Sequence, residues 1–201
     1  MRTDIITVSS TGSQMEKAFA QAEKMATYKE LSRKSALHLR LLTEEMMGMM
    51  RSLTGETEGK FWIEDEDDVY RLHLKVVTRM DSVKRDQLLA ASTSGRNESA
   101  KGLMGRLRDF FDRSADADVA PFVNPMLMAG QYEQASAPSM DWEWSMVDFE
   151  GVISERMQHD DEEAKQVWDE LEKSVVAKVA DDVKVSIKGS TVEMTIIKKM
   201  A

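Results

Sequence analysis

Between Leu37 and Leu53 apolar residues recur at intervals of three and four, at Leu39, Leu42, Met46, Met49, Met50 and Leu53. That spacing lays a single stripe along a helix of 3.6 residues per turn and predicts one buried face. A shorter stripe of Met15, Phe19, Ala22 and Met25/Ala26 predicts a helix from about Gln14 to Tyr28, and Lys29 to Ser35 either continues it or turns into the next. Thr54, Gly55 and Gly59 end the long helix in a polar loop. Further on, Asp81 to Ala91 reads as helix, Ser92 to Asn97 as loop, and Glu98 to Phe111 as a second strong amphipathic helix with Leu103, Met104, Leu107, Phe110 and Phe111 inward.

A period of two marks the strands. Asp4 to Ser9 is short and β-branched, while Lys60 to Ile63 and Val69 to Thr78 flank an acidic turn at Glu64 to Asp68. In the second of these, Tyr70, Leu72, Leu74 and Val76 alternate with Arg71, His73 and Lys75, the pattern of a sheet with one buried face, which puts His73 on the solvent side. The clearest hairpin closes the chain: Val183, Val185 and Ile187 alternate, Lys188 to Ser190 turn, and Val192, Met194 and Ile196 return. The fold expected from these elements is α/β (α+β), a two-layer sandwich. A mixed, mostly antiparallel sheet carries on one face the helices Gln14 to Tyr28, Leu37 to Leu53 and Glu98 to Phe111.

One region breaks both periods. From Ser114 to Asp160 all three prolines of the chain lie among Ala, Ser, Gly and Asp, predicting an irregular insertion at about 114–160 in a single domain spanning 1–201. It also holds Phe122, Met126, Tyr132, Trp142, Trp144 and Phe149, more large apolar groups than a plain linker carries. Its first part, to Ser139, reads as mobile. Its second reads as an extended piece docking Trp142 and Trp144, followed by a weak helix from Val147 to Met157. A better helix then runs from Asp161 to Val179, with Ala164, Val167, Trp168, Leu171, Val175 and Val179 on one side.

Charge and composition narrow the functions. A formal charge of −9 and a pI near 5.0 argue against a nucleic-acid or anionic-membrane surface and favour a basic or neutral protein partner. No apolar run approaches the roughly 20 residues of a membrane span, and the first residues lack a signal-peptide layout, so a cytoplasmic location is expected. With no cysteine there is neither disulfide nor thiolate site, and three scattered histidines form no cluster. The sixteen methionines sit mostly at core-like helical spacings. The usual nucleotide, zinc-protease and nucleophile-elbow motifs do not occur. The acidic turn lacks the glycine and terminal glutamate of a calcium loop.

On the long helix, Glu45 falls at the edge of the apolar stripe and Glu44 points away, so Glu45 is either a solvated flank residue or a group held over a site. The order strand, helix, acid-bearing helix, strand pair, loop, glycine-containing helix and final hairpin resembles the ATP-binding domain of the GHKL superfamily, the histidine-kinase-like ATPases. In size and order it is closest to bacterial anti-sigma factor serine kinases, over about Asp4 to Phe111 plus Asp181 to Lys198. The resemblance implies Glu45 as the catalytic acid-bearing position, Asp81 as a displaced adenine reader, and Gly95, Gly102 and Gly105 as remnants of a phosphate-cradling turn. Where the family places a magnesium-holding Asn, four residues after the acid, this chain has Met49, and a thioether is no ligand for a hard cation. The expectation is therefore a regulatory protein-binding module with degenerate nucleotide motifs and no cofactor. Its partner would be a protein such as a sigma factor or another regulator. The alternative is a serine kinase or ATPase using ATP and magnesium in a rearranged site. The docked part of the insertion is expected to place Trp142 and Trp144 against the sheet or over the former nucleotide cleft.

Overall fold

The computed structural model describes residues 1–9, 13–54, 58–77, 141–188 and 191–200. In chain order the elements are β1 (Ile6–Ser9), α1 (Ser13–Tyr28), α2 (Arg33–Thr54), β2 (Glu58–Glu66), β3 (Val69–Val77), β4 (Asp141–Ser145), α3 (Met146–Gln158), α4 (Glu162–Lys173), α5 (Val175–Val179), β5 (Asp182–Lys188) and β6 (Thr191–Lys199). The strands form a six-stranded sheet in the order β1-β2-β3-β6-β5-β4. Each adjacent pair is antiparallel, so within the described residues the sheet is antiparallel throughout.

Register puts the alternating apolar residues on one face. Phe61 lies opposite Leu74 and Ile63 opposite Leu72; Leu72 and Leu74 then meet Ile196 and Met194, which meet Val183 and Val185. All of these are fully buried and join the buried residues of α1 to α5 in one cluster, so the fold is the expected α+β two-layer arrangement with helices on one sheet face. The third helix expected there, Glu98 to Phe111, lies outside the described residues, as do the readings of Asp81 to Ala91 and of Ser114 to Ser139.

Local chemistry explains most boundaries. Helix α1 ends in a Schellman turn: Leu31 N–H donates to Ala26 O at 2.9 Å and Glu30 N–H to Thr27 O at 3.2 Å, with Glu30 in the left-handed region at φ 51°. The chain therefore turns between Tyr28 and Arg33 and does not continue as helix. Ser32 Oγ accepts from Ser35 N–H at 3.1 Å and caps α2. The turn between β2 and β3 is shorter than Glu64 to Asp68. Only Asp67 and Asp68 form it, both at positive φ (50° and 63°), the two-residue hairpin geometry that suits strand twist. Strand β2 thus extends through Glu66, and at its other end it takes in Gly59, which is no helix terminator. A Cβ there would come within 3.1 Å of Lys75 O and Met50 Sδ and 3.0 Å of Leu74 Cδ1.

Residues 141–158 hold the extended piece and the helix expected near Val147 to Met157, but as an edge strand of the sheet and a helix over it rather than as part of an irregular insertion. Trp144 pairs with Val185, is 8% exposed, and has its ring centroid 5.8 Å from that of Phe149 on α3. Ser145 Oγ accepts from Asp148 N–H at 3.4 Å and donates to Asp182 Oδ1 at 3.1 Å, tying the start of α3 to β5. The helix read from Asp161 to Val179 is two helices. Ser174 Oγ accepts from Ala177 N–H at 3.4 Å and starts α5 afresh. The break shifts the phase, so Val175, expected inward, is 40% exposed and Val176 is buried in its place.

Candidate functional site

Of the residues singled out by the resemblance, the described structure contains Glu45; Asp81, Gly95, Gly102 and Gly105 lie outside the described residues. Glu45 sits half-buried on α2 beside exposed Glu44. Burial, with Glu44 adding repulsion, holds its carboxyl above the usual glutamate range. The helix decides the next position. Met49 is 2% exposed and belongs to the core cluster with Met46, Met47 and Met50. A group four residues after Glu45 is thus committed to packing, and its sulfur offers a hard cation nothing. The residues present do not fit a magnesium-bridged phosphate at this point of α2.

The outer face of the sheet carries a cluster that strand alternation alone did not reveal. Trp62 and His73, paired across β2 and β3, stack with ring centroids 4.8 Å apart and planes 6° from parallel. The Arg2 guanidinium lies 5.3 Å from the Trp62 ring centroid. Trp62 Nε1–H donates to Glu64 Oε1 at 3.1 Å, and Thr195 Oγ1 lies 3.1 Å from His73 Nδ1. His73 is on the expected face but not in solvent, since its side chain is only 13% exposed. Burial lowers its pKa below the ordinary 6.5 despite Glu64 and Glu193 at 3.4 and 3.8 Å. The signal for this patch was Trp62, an indole in the polar phase of β2.

At the β2–β3 turn the acidic run divides by sheet face. Asp65 points inward beside Tyr70, its side chain 3% exposed, and pairs through Oδ2 with Lys29. Glu64 and Glu66 alternate to the other face and meet Arg2 and Arg71 at 3.5 and 3.3 Å. An open hollow of about 740 Å³ is lined here by Arg2, Lys29, Asp65, Glu66, Asp67 and Arg71 among others. Its charges largely neutralise one another. Among the described residues no three His, Asp or Glu side chains converge as a metal-ligand set.

A second concavity, about 290 Å³, lies between α3, α4 and α5 and is lined by Glu150, Trp168, Leu171, Glu172, Ala177 and Lys178. Ligand pockets for small molecules run from about 300 to 1,000 Å³, so this one suits a single side chain better than a nucleotide. Leu171 forms a buried floor, and Trp168 Nε1–H donates to Glu172 Oε1 at 3.1 Å, fixing the indole as a wall. Burial, with Asp182 adding repulsion, raises the Glu150 carboxyl. Glu45 lines neither hollow. Among the described residues no helix is long and apolar enough to cross a membrane. Comparison with protein-family models, curated proteins and solved structures gives no match to this chain.

Proposed function

We propose that the chain is a regulatory protein-binding module built on a histidine-kinase-like ATPase fold whose nucleotide chemistry has been lost. One observation carries this reading: Met49, at the position where the resemblance calls for a metal-holding amide, is 2% exposed within the core. Turning such a side chain out toward a phosphate would forfeit its burial, about 1.5 to 3 kcal/mol for a large apolar group, with no ligand gained. A protein partner, of the kind a sigma factor or another regulator represents, fits an acidic domain with a charge of −9 and shallow concavities. A cytoplasmic setting goes with that proposal.

The alternative, an ATP-dependent serine kinase or ATPase, draws on one feature, the raised carboxyl of Glu45, since a general base works best with a pKa moved toward neutrality. Burial at the flank of an amphipathic helix accounts for the same shift without catalysis. Isothermal titration with ATP and magnesium separates the two. The module predicts no binding in the low-micromolar range, and a saturating exotherm there would overturn it.

A further inference from the structure

The two helical groups over the sheet differ sharply in charge. Residues 13–54, holding α1 and α2, carry seven basic and five acidic side chains; residues 146–179, holding α3 to α5, carry four basic and ten acidic. Among the described side chains, ion pairs inside the second group engage Asp160, Asp161 and Glu162. Lys165 is shared by Asp160 and Glu162 at 2.5 and 2.6 Å, and Arg156 meets Asp161 at 2.6 Å. Asp148, Glu150 and Glu155 on α3 and Asp169 on α4 add to the same end of the molecule. The 290 Å³ cavity opens in this surface, with an apolar floor at Leu171, an aromatic wall at Trp168, and Glu150 and Glu172 at its sides.

We propose that this face docks a basic segment of a partner protein, with one lysine or arginine side chain seated in the cavity. The proposal rests on the protein-binding reading above and names the partner's chemistry. A long basic side chain matches the lining group by group. Its methylenes lie on Leu171 and Ala177, its cation faces the Trp168 ring, and its N–H groups meet Glu150 and Glu172. Glu150, partly desolvated and repelled by Asp182, gains a partner of opposite charge. Lys178 at the rim opposes the incoming cation, so it sets the ceiling on affinity. Acidic surplus around the cavity steers a basic segment in from solution and makes the encounter salt-dependent.

The test is fluorescence anisotropy of a labelled peptide alternating arginine and leucine, titrated with the full chain at low and at physiological salt. Binding is expected, weakening with salt. Glu150→Gln with Glu172→Gln should weaken it tenfold or more, Trp168→Leu severalfold, and Lys178→Glu should tighten it. Asp4→Asn with Glu16→Gln, which removes the same charge elsewhere, should leave it unchanged. Melting curves show which variants are folded, and Lys178→Glu tests the cavity even if Trp168→Leu unfolds. No binding by the folded wild type, equal loss in the control pair, or displacement of the peptide by spermidine at equal charge concentration would each overturn the proposal. The two readings fail separately: micromolar ATP binding with intact peptide binding removes the non-catalytic reading alone, and absence of both removes the docking face alone.

Discussion

The half of the molecule formed by α1, α2 and β1 to β3 and the half formed by α3 to α5 over β4 and β5 share one sheet face but are built differently. The first holds the largest fully buried side chains, among them Tyr70, Phe61, Met25, Leu39, Leu42, Met46 and Met47. The second buries fewer groups, among them Trp144, Met146, Ile153, Leu171 and Val176, and carries most of the acidic surplus around a solvent-open cavity. The contrast is one of density and charge: the first half is a dense core that fixes the sheet, and the second is a thinner, strongly acidic layer. Layers with fewer buried contacts open more easily, which suits the docking role proposed for it.

The same substitution in each half is the strongest way to break that contrast. Leu72 is fully buried in the central strands, so Leu72→Ala should cost about 4 kcal/mol, near the upper end for such truncations. Leu171 floors the cavity, so Leu171→Ala should cost about 2 kcal/mol, the lower end, because the space left opens into an existing cavity rather than a closed core. Equal costs in denaturant unfolding would erase the distinction. Next in size, Gly59→Ala should destabilise by about 1 to 3 kcal/mol, since the new methyl meets the Lys75 carbonyl in the tightly packed half. The matching change Gly151→Ala on α3, where a Cβ meets nothing within 4 Å, should stabilise by up to about 1 kcal/mol.

Two titrations sharpen the picture with smaller effects. His73 is held neutral by burial, so its folded pKa lies below its unfolded value of 6.5. The unfolded chain then binds more protons in the window below 6.5, and the stabilisation present above that pH is lost as pH falls toward the folded pKa. His73 resonances followed by NMR should show a midpoint below 6.5; a midpoint above it would mean that Glu64 and Glu193 outweigh burial. Glu45 runs the other way. Its folded pKa is raised, so the charged form costs stability as pH rises past 4.5. Glu45→Gln should therefore raise stability slightly at pH 7, an effect that solvent screening of this partly exposed carboxyl keeps small, and the gain should vanish below pH 4.

Much of the fold was legible because its signals are local. The alternation in β3, the stripe of α2 and the closing hairpin each need only a short window, and the inward residues whose side chains are described, among them Leu42, Met46, Leu72, Leu74, Val183 and Met194, are buried as expected. What was missed depends on partners far away in the chain. Leu171, Val175 and Val179 continue a four-residue spacing, so a single capping serine at 174 was invisible in the pattern, yet it rotates Val176 into the core. Asp65 looked like one acid in an exposed turn, but its Oδ2 is buried against Lys29, 36 residues earlier, a pairing no local window shows. The Trp62–His73 stack is a product of strand register, and the cavity of Glu150, Trp168 and Lys178 a product of three helices meeting. The edge strand carrying Trp142 and Trp144 was recognised as extended, but its place in the sheet is set by pairing with β5.

The central claim is that recognition belongs to the acidic helical layer and not to the flank of α2. Amide chemical shifts of the isotopically labelled chain, recorded against the arginine–leucine peptide and then against ATP with magnesium, test it most directly. The account predicts peptide-induced shifts concentrated in residues 146–179 and no nucleotide-induced shifts around Glu45. Nucleotide shifts centred on α2, with residues 146–179 silent to the peptide, would contradict it.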